Sequence, residues 1–138
     1  RRSASGGSSE LAVASCLRRV GAEVSVPLGN SCRYDIIADF DGRLHRIQVK
    51  TARINSGGVR FKVVSSFGRS ATLGQGPRVY GSGEVDAFVA YCPDNGSVYW
   101  IPWSEDVVKY EVVLRLEKCK NNQKRGVRWA FDHYIGRV

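Results

Sequence analysis

The chain has no methionine, two histidines, four prolines and far fewer acidic than basic side chains, and each scarcity narrows what it can be. His45 and His133 are the only imidazoles, and Cys16, Cys32, Cys92 and Cys119 are widely spaced with no CxxC pair. A zinc knuckle therefore lacks its ligands. A chain of this size can bury a core without disulfides, so buried, reduced thiols are expected, and with them a cytoplasmic, reducing compartment. No apolar run approaches the roughly 20 residues that cross a bilayer, which points to a soluble protein and away from a membrane. The opening RRSASGGSSE lacks the apolar stretch of a secretory signal. Residues 1–8 are expected to be a flexible lead-in, and the missing initiator methionine is read as trimming.

What is present fits one domain. The 138 residues match the common domain size of roughly 100–150, so residues 9–138 are expected to share a single core. Twenty-one Lys and Arg against thirteen Asp and Glu give a formal charge of +8. That excess favours a polyanionic partner, nucleic acid before a membrane surface, because the basic residues are interleaved with strand-forming segments.

Val13, Cys16, Leu17 and Val20 fall at i, i+3, i+4, i+7, which predicts an amphipathic helix over Ser9 to Val20. Ser8 or Ser9 can cap it, Gly21 can end it, and Glu10 falls in its first turn. Ala22 to Pro27 alternates as a short edge strand. Tyr34 to Phe40 and Arg43 to Ile54 read as strands joined by Asp41-Gly42, the dipeptide suited to a two-residue type I′ hairpin. Gly57 to Phe67 reads as a further strand and Gly68 to Gly83 as a loop. Asp86 to Cys92 and Ser97 to Trp103 form a second hairpin around Pro93-Asp94-Asn95-Gly96. In the remainder, Ser104 to Asp106 can open a helix, Val112 to Leu116 can be a strand, and Trp129 to Tyr134 can be a short helix.

The first hairpin permits a deduction about chemistry. With Asp41 and Gly42 as its loop, Phe40 faces Arg43, and counting back sets Asp35 opposite Gln48. Lys50, two residues on, shares that face, with opposed Cβ atoms about 5 Å apart and diagonal ones about 7–8 Å. Tyr34, Ile36, Ala38, Phe40, Ile47 and Val49 collect on the other face as a surface for the helix to cover. An acid, an amide oxygen and an amine thus converge, as phosphodiester hydrolysis with a hard cation requires. Asp35 and Gln48 can supply oxygens to Mg²⁺ and the Val49 carbonyl another. Lys50 can orient water or stabilise transition-state charge, and Glu10 is a candidate extra ligand or base. The bland alternative is a surface ion pair between Asp35 and Lys50, worth about 0–1 kcal/mol.

Glu10 on a first helix, then Tyr34-Asp35-Ile36-Ile37, a turn and Arg46-Ile47-Gln48-Val49-Lys50, resembles the PD-(D/E)xK nuclease superfamily, which includes Holliday-junction resolvases and many restriction enzymes. The IQVKTA segment, with Gly83 to Phe88 and Val98 to Pro102, most resembles the endonucleases encoded in bacterial group I introns. The resemblance covers roughly Glu10 to Pro102. It implies an α/β, restriction-endonuclease-like mixed central sheet flanked by helices, and Glu10, Asp35, Gln48 and Lys50 as catalytic residues. It also implies Mg²⁺ held by Glu10, Asp35, Gln48 and Val49, with no small-molecule cofactor. Tyr34 stands where the family has proline, and Gln48 where it more often has an acid.

Site-specific double-strand cleavage of DNA by a homing endonuclease is the first expectation, and the resemblance suggests a homo-oligomer, a dimer or a tetramer. A Holliday-junction resolvase, a restriction-type nuclease and a noncatalytic DNA-binding protein are the alternatives. Arg53, Arg60, Lys62, Arg69 and Arg78 are expected to contact DNA, with Arg60 and Lys62 on one strand face. Lys118, Lys120, Lys124, Arg125 and Arg128 are expected to meet phosphates. Asp86 is expected to tie a strand end, and the histidines and Trp100, Trp103 and Trp129 to pack.

Overall fold

The computed structural model describes residues 4–29, 31–63, 83–107, 110–117 and 126–138. Helix α1 spans Ala4–Arg19, so it begins five residues before the expected Ser9 and takes in part of the expected lead-in. Ser9 is not a cap: it lies inside the helix, buried at 2% exposure, and its hydroxyl meets the Thr51 hydroxyl at 2.5 Å. Glu10 accordingly falls beyond the first turn. Gly21 adopts φ +106°, and the chain reverses there as the Ala22 N–H donates to the Leu17 carbonyl at 2.9 Å.

Strand β1 (Glu23–Ser25) lies at the edge of a six-stranded sheet, as the proline after it foretold. β2 (Ile36–Phe40) and β3 (Arg43–Thr51) form the hairpin, with Phe40 opposite Arg43 and Ile36 opposite Ile47. Asp41 at φ 52° and Gly42 at φ 92° are both left-handed, as a type I′ turn requires. β6 (Ala87–Cys92) pairs parallel to β3 and antiparallel to β7 (Ser97–Pro102). A one-turn helix, α2 (Ala130–His133), leads into β10 (Tyr134–Arg137), an unforeseen strand that closes the order β1-β2-β3-β6-β7-β10.

The expected long strand from Arg43 to Ile54 is broken. Ala52 is fully buried, its N–H donates to the Tyr91 carbonyl at 2.8 Å, and the chain then leaves for a second sheet. There β4 (Arg53–Asn55) turns through Ser56 and Gly57, both at positive φ, into β5 (Gly58–Lys62). β8 (Glu111–Arg115) and β9 (Arg128–Trp129) complete the order β4-β5-β8-β9. Ser104 to Val107 makes only a turn among the described residues, with the Ser104 hydroxyl accepting the Val107 N–H.

Two apolar cores flank the first sheet. Val13, Cys16 and Leu17 of α1 pack on Ile36, Ala38, Ile47, Val49, Val89 and Val98. On the other face Phe88, Ala90, Tyr99 and Ile101 meet Val59, Phe61, Val112 and Leu114 of the second sheet. Tyr34 packs with this second core, not under the helix as strict alternation predicted. The reason is local: the Asp35 N–H donates to the Ile47 carbonyl at 2.8 Å, beside the last paired residues, so alternation breaks at Asp35.

Asp86 ties the head of β6 to β3, as expected. Its carboxylate accepts the Arg46 backbone N–H at 2.7 Å and the guanidinium at 3.1 and 2.9 Å, and its own N–H donates to the Arg46 carbonyl at 2.8 Å. The Arg46 guanidinium beside it, first of all by hydrogen bonding, holds the Asp86 carboxyl below the usual carboxylate range, although burial opposes this. A group depressed in this way stabilises the fold above the unfolded carboxylate pKa, and that contribution is lost as pH falls through the folded value. Asp86→Asn is therefore expected to lower stability at pH 7 by roughly 1–3 kcal/mol. The loss should shrink in acid, and denaturant titrations at pH 7 and pH 3 measure both.

Candidate active site

The hairpin places its acid and amide together. Gln48 Nε2 donates to Asp35 Oδ2 at 2.9 Å, and the Val49 backbone N–H donates to the same oxygen at 3.0 Å. Asp35 thus reaches Gln48 although it does not stand squarely opposite it. The N–H and C=O of one strand residue point to the same edge, so the Val49 carbonyl also faces Asp35, and Gln48 Nε2 lies 3.5 Å from it.

Lys50 alternates with Val49 and points with Gln48 toward the second sheet, its backbone neighbour across β6 being Ala90. Burial pushes the Lys50 ammonium down to about 8; nearby Asp35 counteracts this and Arg33 reinforces it. A charge is being held where solvent does little to screen it. Such a location strengthens any interaction with an anion that enters.

Arg33 and Glu84 were not singled out from the sequence. Arg33 Nε lies 3.0 Å from Glu84 Oε2, with the two side chains only 17% and 29% exposed. Arg33 is also near enough to Lys50 to oppose its protonation. The available signal was that Arg33 precedes Asp35 by two residues, the spacing of groups on one side of an extended chain.

Glu10 arrives differently. Glu10, Val13 and Leu17 are spaced i, i+3, i+7, which puts Glu10 one turn ahead of the residues packed on the helix side of the sheet. Ser9, its neighbour, is bonded to Thr51, the neighbour of Lys50. That hydroxyl pair fixes the first half of α1 against the end of β3. The structure therefore gathers Asp35, Gln48, Val49 and Lys50 directly, and brings Glu10 to the same end of β3 on the helix.

Three hard oxygen donors, the Asp35 carboxylate, the Gln48 amide and the Val49 carbonyl, fit a small divalent cation. The Gln48 amide is turned with its nitrogen toward Asp35. Its terminal torsion is soft, so a half-turn exchanges nitrogen for oxygen. Among the described residues no three His, Cys, Asp or Glu side chains cluster as a metal site. Such a cluster is not needed where an amide and a main-chain carbonyl replace side-chain acids.

The basic ribbon lies on the second sheet. Arg53 stands opposite Arg60, and Arg60 and Lys62 point away from buried Val59 and Phe61, on one face as expected. Arg69 and Arg78 lie outside the described residues, as do Lys118, Lys120, Lys124 and Arg125. Arg128 pairs with Asp106. His45 packs edge-on to Phe40 and Trp100, and His133 Nδ1 lies 2.9 Å from the Trp100 carbonyl, so both imidazoles are packing residues. Trp103 packs on the core and Trp129 stacks on Phe131. No helix is long and apolar enough to cross a membrane among the described residues.

Comparison with known proteins bears on the fold and the family. No curated protein sequence matches the chain. The solved structure of a bacterial homing endonuclease, I-Ssp6803I, superposes with a TM-score of 0.65 over 98% of this chain and 88% of that one, at 21% identity. At that identity the likeness speaks to the fold, which is restriction-endonuclease-like: a mixed curled sheet flanked by helices. The sequence model of the PD-(D/E)XK endonuclease family matches residues 2–135, nearly the whole chain, and the chain belongs to that family.

Proposed function

We propose that this nuclease cleaves double-stranded DNA at specific sites with Mg²⁺, as a homing endonuclease does. The observation that carries the reading is the contact of Asp35 with Gln48 and Val49 on the strand that also presents a half-buried Lys50. Asp35, Gln48 and the Val49 carbonyl would hold the cation, with Glu10 as a further ligand or base from α1. The cation, when bound, acidifies water and neutralises charge growing on the phosphate. Lys50 would stabilise the same charge as a water oxygen bonds to phosphorus and the bond from phosphorus to the sugar oxygen breaks. Arg53, Arg60 and Lys62 contact the duplex, joined by Arg69 and Arg78. Cutting two antiparallel strands with one site per subunit calls for a two-fold homodimer or a tetramer of dimers. The free thiols of Cys16, Cys32 and Cys92 suit the reducing cytoplasm.

The substitution of Gln for an acid favours one rival, a protein that binds DNA without cutting it. A plasmid-nicking assay with and without Mg²⁺ separates the two. A branched junction tested against a linear duplex library separates a homing endonuclease from a resolvase, and sequence preference with it.

Lys50→Met is expected to abolish cleavage while DNA affinity stays within a few-fold, because Lys50 acts on the transition state more than on binding. Wild-type activity should decline as pH rises through about 8, where Lys50 loses its proton. The same depressed value means that the unfolded chain binds more protons between about 8 and the ordinary lysine range. Stability from this group therefore rises with pH across that window, and Lys50→Met should melt higher than wild type at pH 7 in chelator. A variant that still cleaves removes Lys50 from the chemistry.

For Gln48, replacement by Glu keeps the oxygen and adds charge, so Mg²⁺ should bind more tightly or metal preference should change. Gln48→Leu should stop cleavage in a protein that still melts cooperatively; metal titration with calorimetry reads both. Lys62→Ala and Arg53→Ala should each weaken duplex binding and cut the slope of log affinity against log salt by about one unit. Unchanged slopes would move the DNA off this sheet.

A further inference from the structure

The outer face of the second sheet carries a carboxylate where electrostatics alone would exclude one. Glu111 opens β8 directly opposite Lys62, and its Oε1 lies 3.4 Å from Arg60 Nη1. In the strands of this sheet, RIN, GVRFK, EVVLR and RW, it is the single acid among the described residues. For a surface that only gathers phosphates, such a group reduces affinity by cancelling charge next to two cations.

The neighbouring cations are also restrained. Arg60 Nε donates to the Asn55 carbonyl at 3.0 Å while Nη1 faces Glu111, so two sides of the guanidinium are fixed and its plane is set before DNA arrives. The Lys62 ammonium sits 5.6 Å from the centre of the Tyr110 ring. Phosphate contacts tolerate mobile cations. A planar fork held in one orientation, beside a carboxylate acceptor, is what distinguishes base edges: guanine offers paired acceptors, and the cytosine amino group needs an acceptor. Arg53, exposed on the edge strand of the ribbon, suits phosphate.

We propose that Arg60 and Glu111 form a base-reading pair, with Glu111 the specificity-determining residue of this nuclease and a G·C pair its target. The inference rests on the reading of the second sheet as the DNA face. It goes beyond that reading by assigning the pair to sequence discrimination and leaving attraction to Arg53 and Lys62.

The test measures binding of wild type, Glu111→Gln, Arg60→Lys, Lys62→Ala and Arg53→Ala to a randomised duplex library in Ca²⁺, with thermal melting as the folding control. Glu111→Gln is near isosteric and should bind random duplex several-fold more tightly. Its preference at one or two G·C positions should nevertheless fall by about ten- to a hundredfold. Arg60→Lys keeps the charge and should lose the same preference with its salt slope unchanged. Lys62→Ala should weaken all sequences alike. If Glu111→Gln or Arg60→Lys keeps the wild-type preference while Lys62→Ala binds weakly, the pair does not read bases although the sheet does face DNA. If neither Lys62→Ala nor Arg53→Ala alters binding, the DNA face itself is misplaced and the proposal falls with it. A wild type without sequence preference overturns both the pair and the site-specific reading.

Discussion

Asp41 and Gly42 close the β2–β3 hairpin with two left-handed residues and none to spare, and this turn governs where every side chain of the two strands carrying the candidate site points. One residue more would send Gln48 and Lys50 under α1 and deliver Ile47 and Val49 to the cleft. The register is held from both ends. The turn fixes it at Phe40 and Arg43, and the fully buried Ile36 and Ile47 fix it where the ladder ends. Past that point the bond from Asp35 to the Ile47 carbonyl breaks the alternation and directs the carboxylate to Val49 N–H and Gln48.

That geometry is maintained against electrostatic cost. Lys50 is buried enough for its ammonium to be disfavoured, and Arg33 nearby adds to the penalty. A chain selected only for stability would place an apolar side chain there. The penalty is accepted in a sheet that is otherwise well fastened, by the Arg46–Asp86 bonds across β3 and β6 and by the Ser9–Thr51 pair that seats α1. Rigid supports on both sides of β3 keep a group that water would rather solvate in its place near Asp35.

The break at Ala52 joins the two sheets. Up to Thr51 the strand belongs to the sheet that bears Gln48 and Lys50; from Arg53 it belongs to the sheet that bears the basic ribbon. One buried alanine, bonded to Tyr91 and packed in the core between the sheets, separates them. Arg53, the first residue of the ribbon, is therefore only three residues from Lys50.

The sequence by itself determined what short-range chemistry can encode. Asp41-Gly42 dictated the hairpin, the spacing of Val13, Cys16 and Leu17 dictated the helix face, and period-two alternation put Gln48 and Lys50 together. Family membership was legible there too, because its motif lies within that hairpin. Long-range packing decided the rest. The helix begins at Ala4, ahead of the periodic segment, and Ser9 within it bonds Thr51, 42 residues away, which no local pattern could show. The strand breaks at Ala52 because a second sheet, assembled partly from Glu111–Arg115, offers β4 and β5 their partners. Arg33 joins the site through Glu84, and Glu111 faces Arg60, only because distant segments meet. No local pattern announces a charge pair whose members are 51 residues apart along the chain.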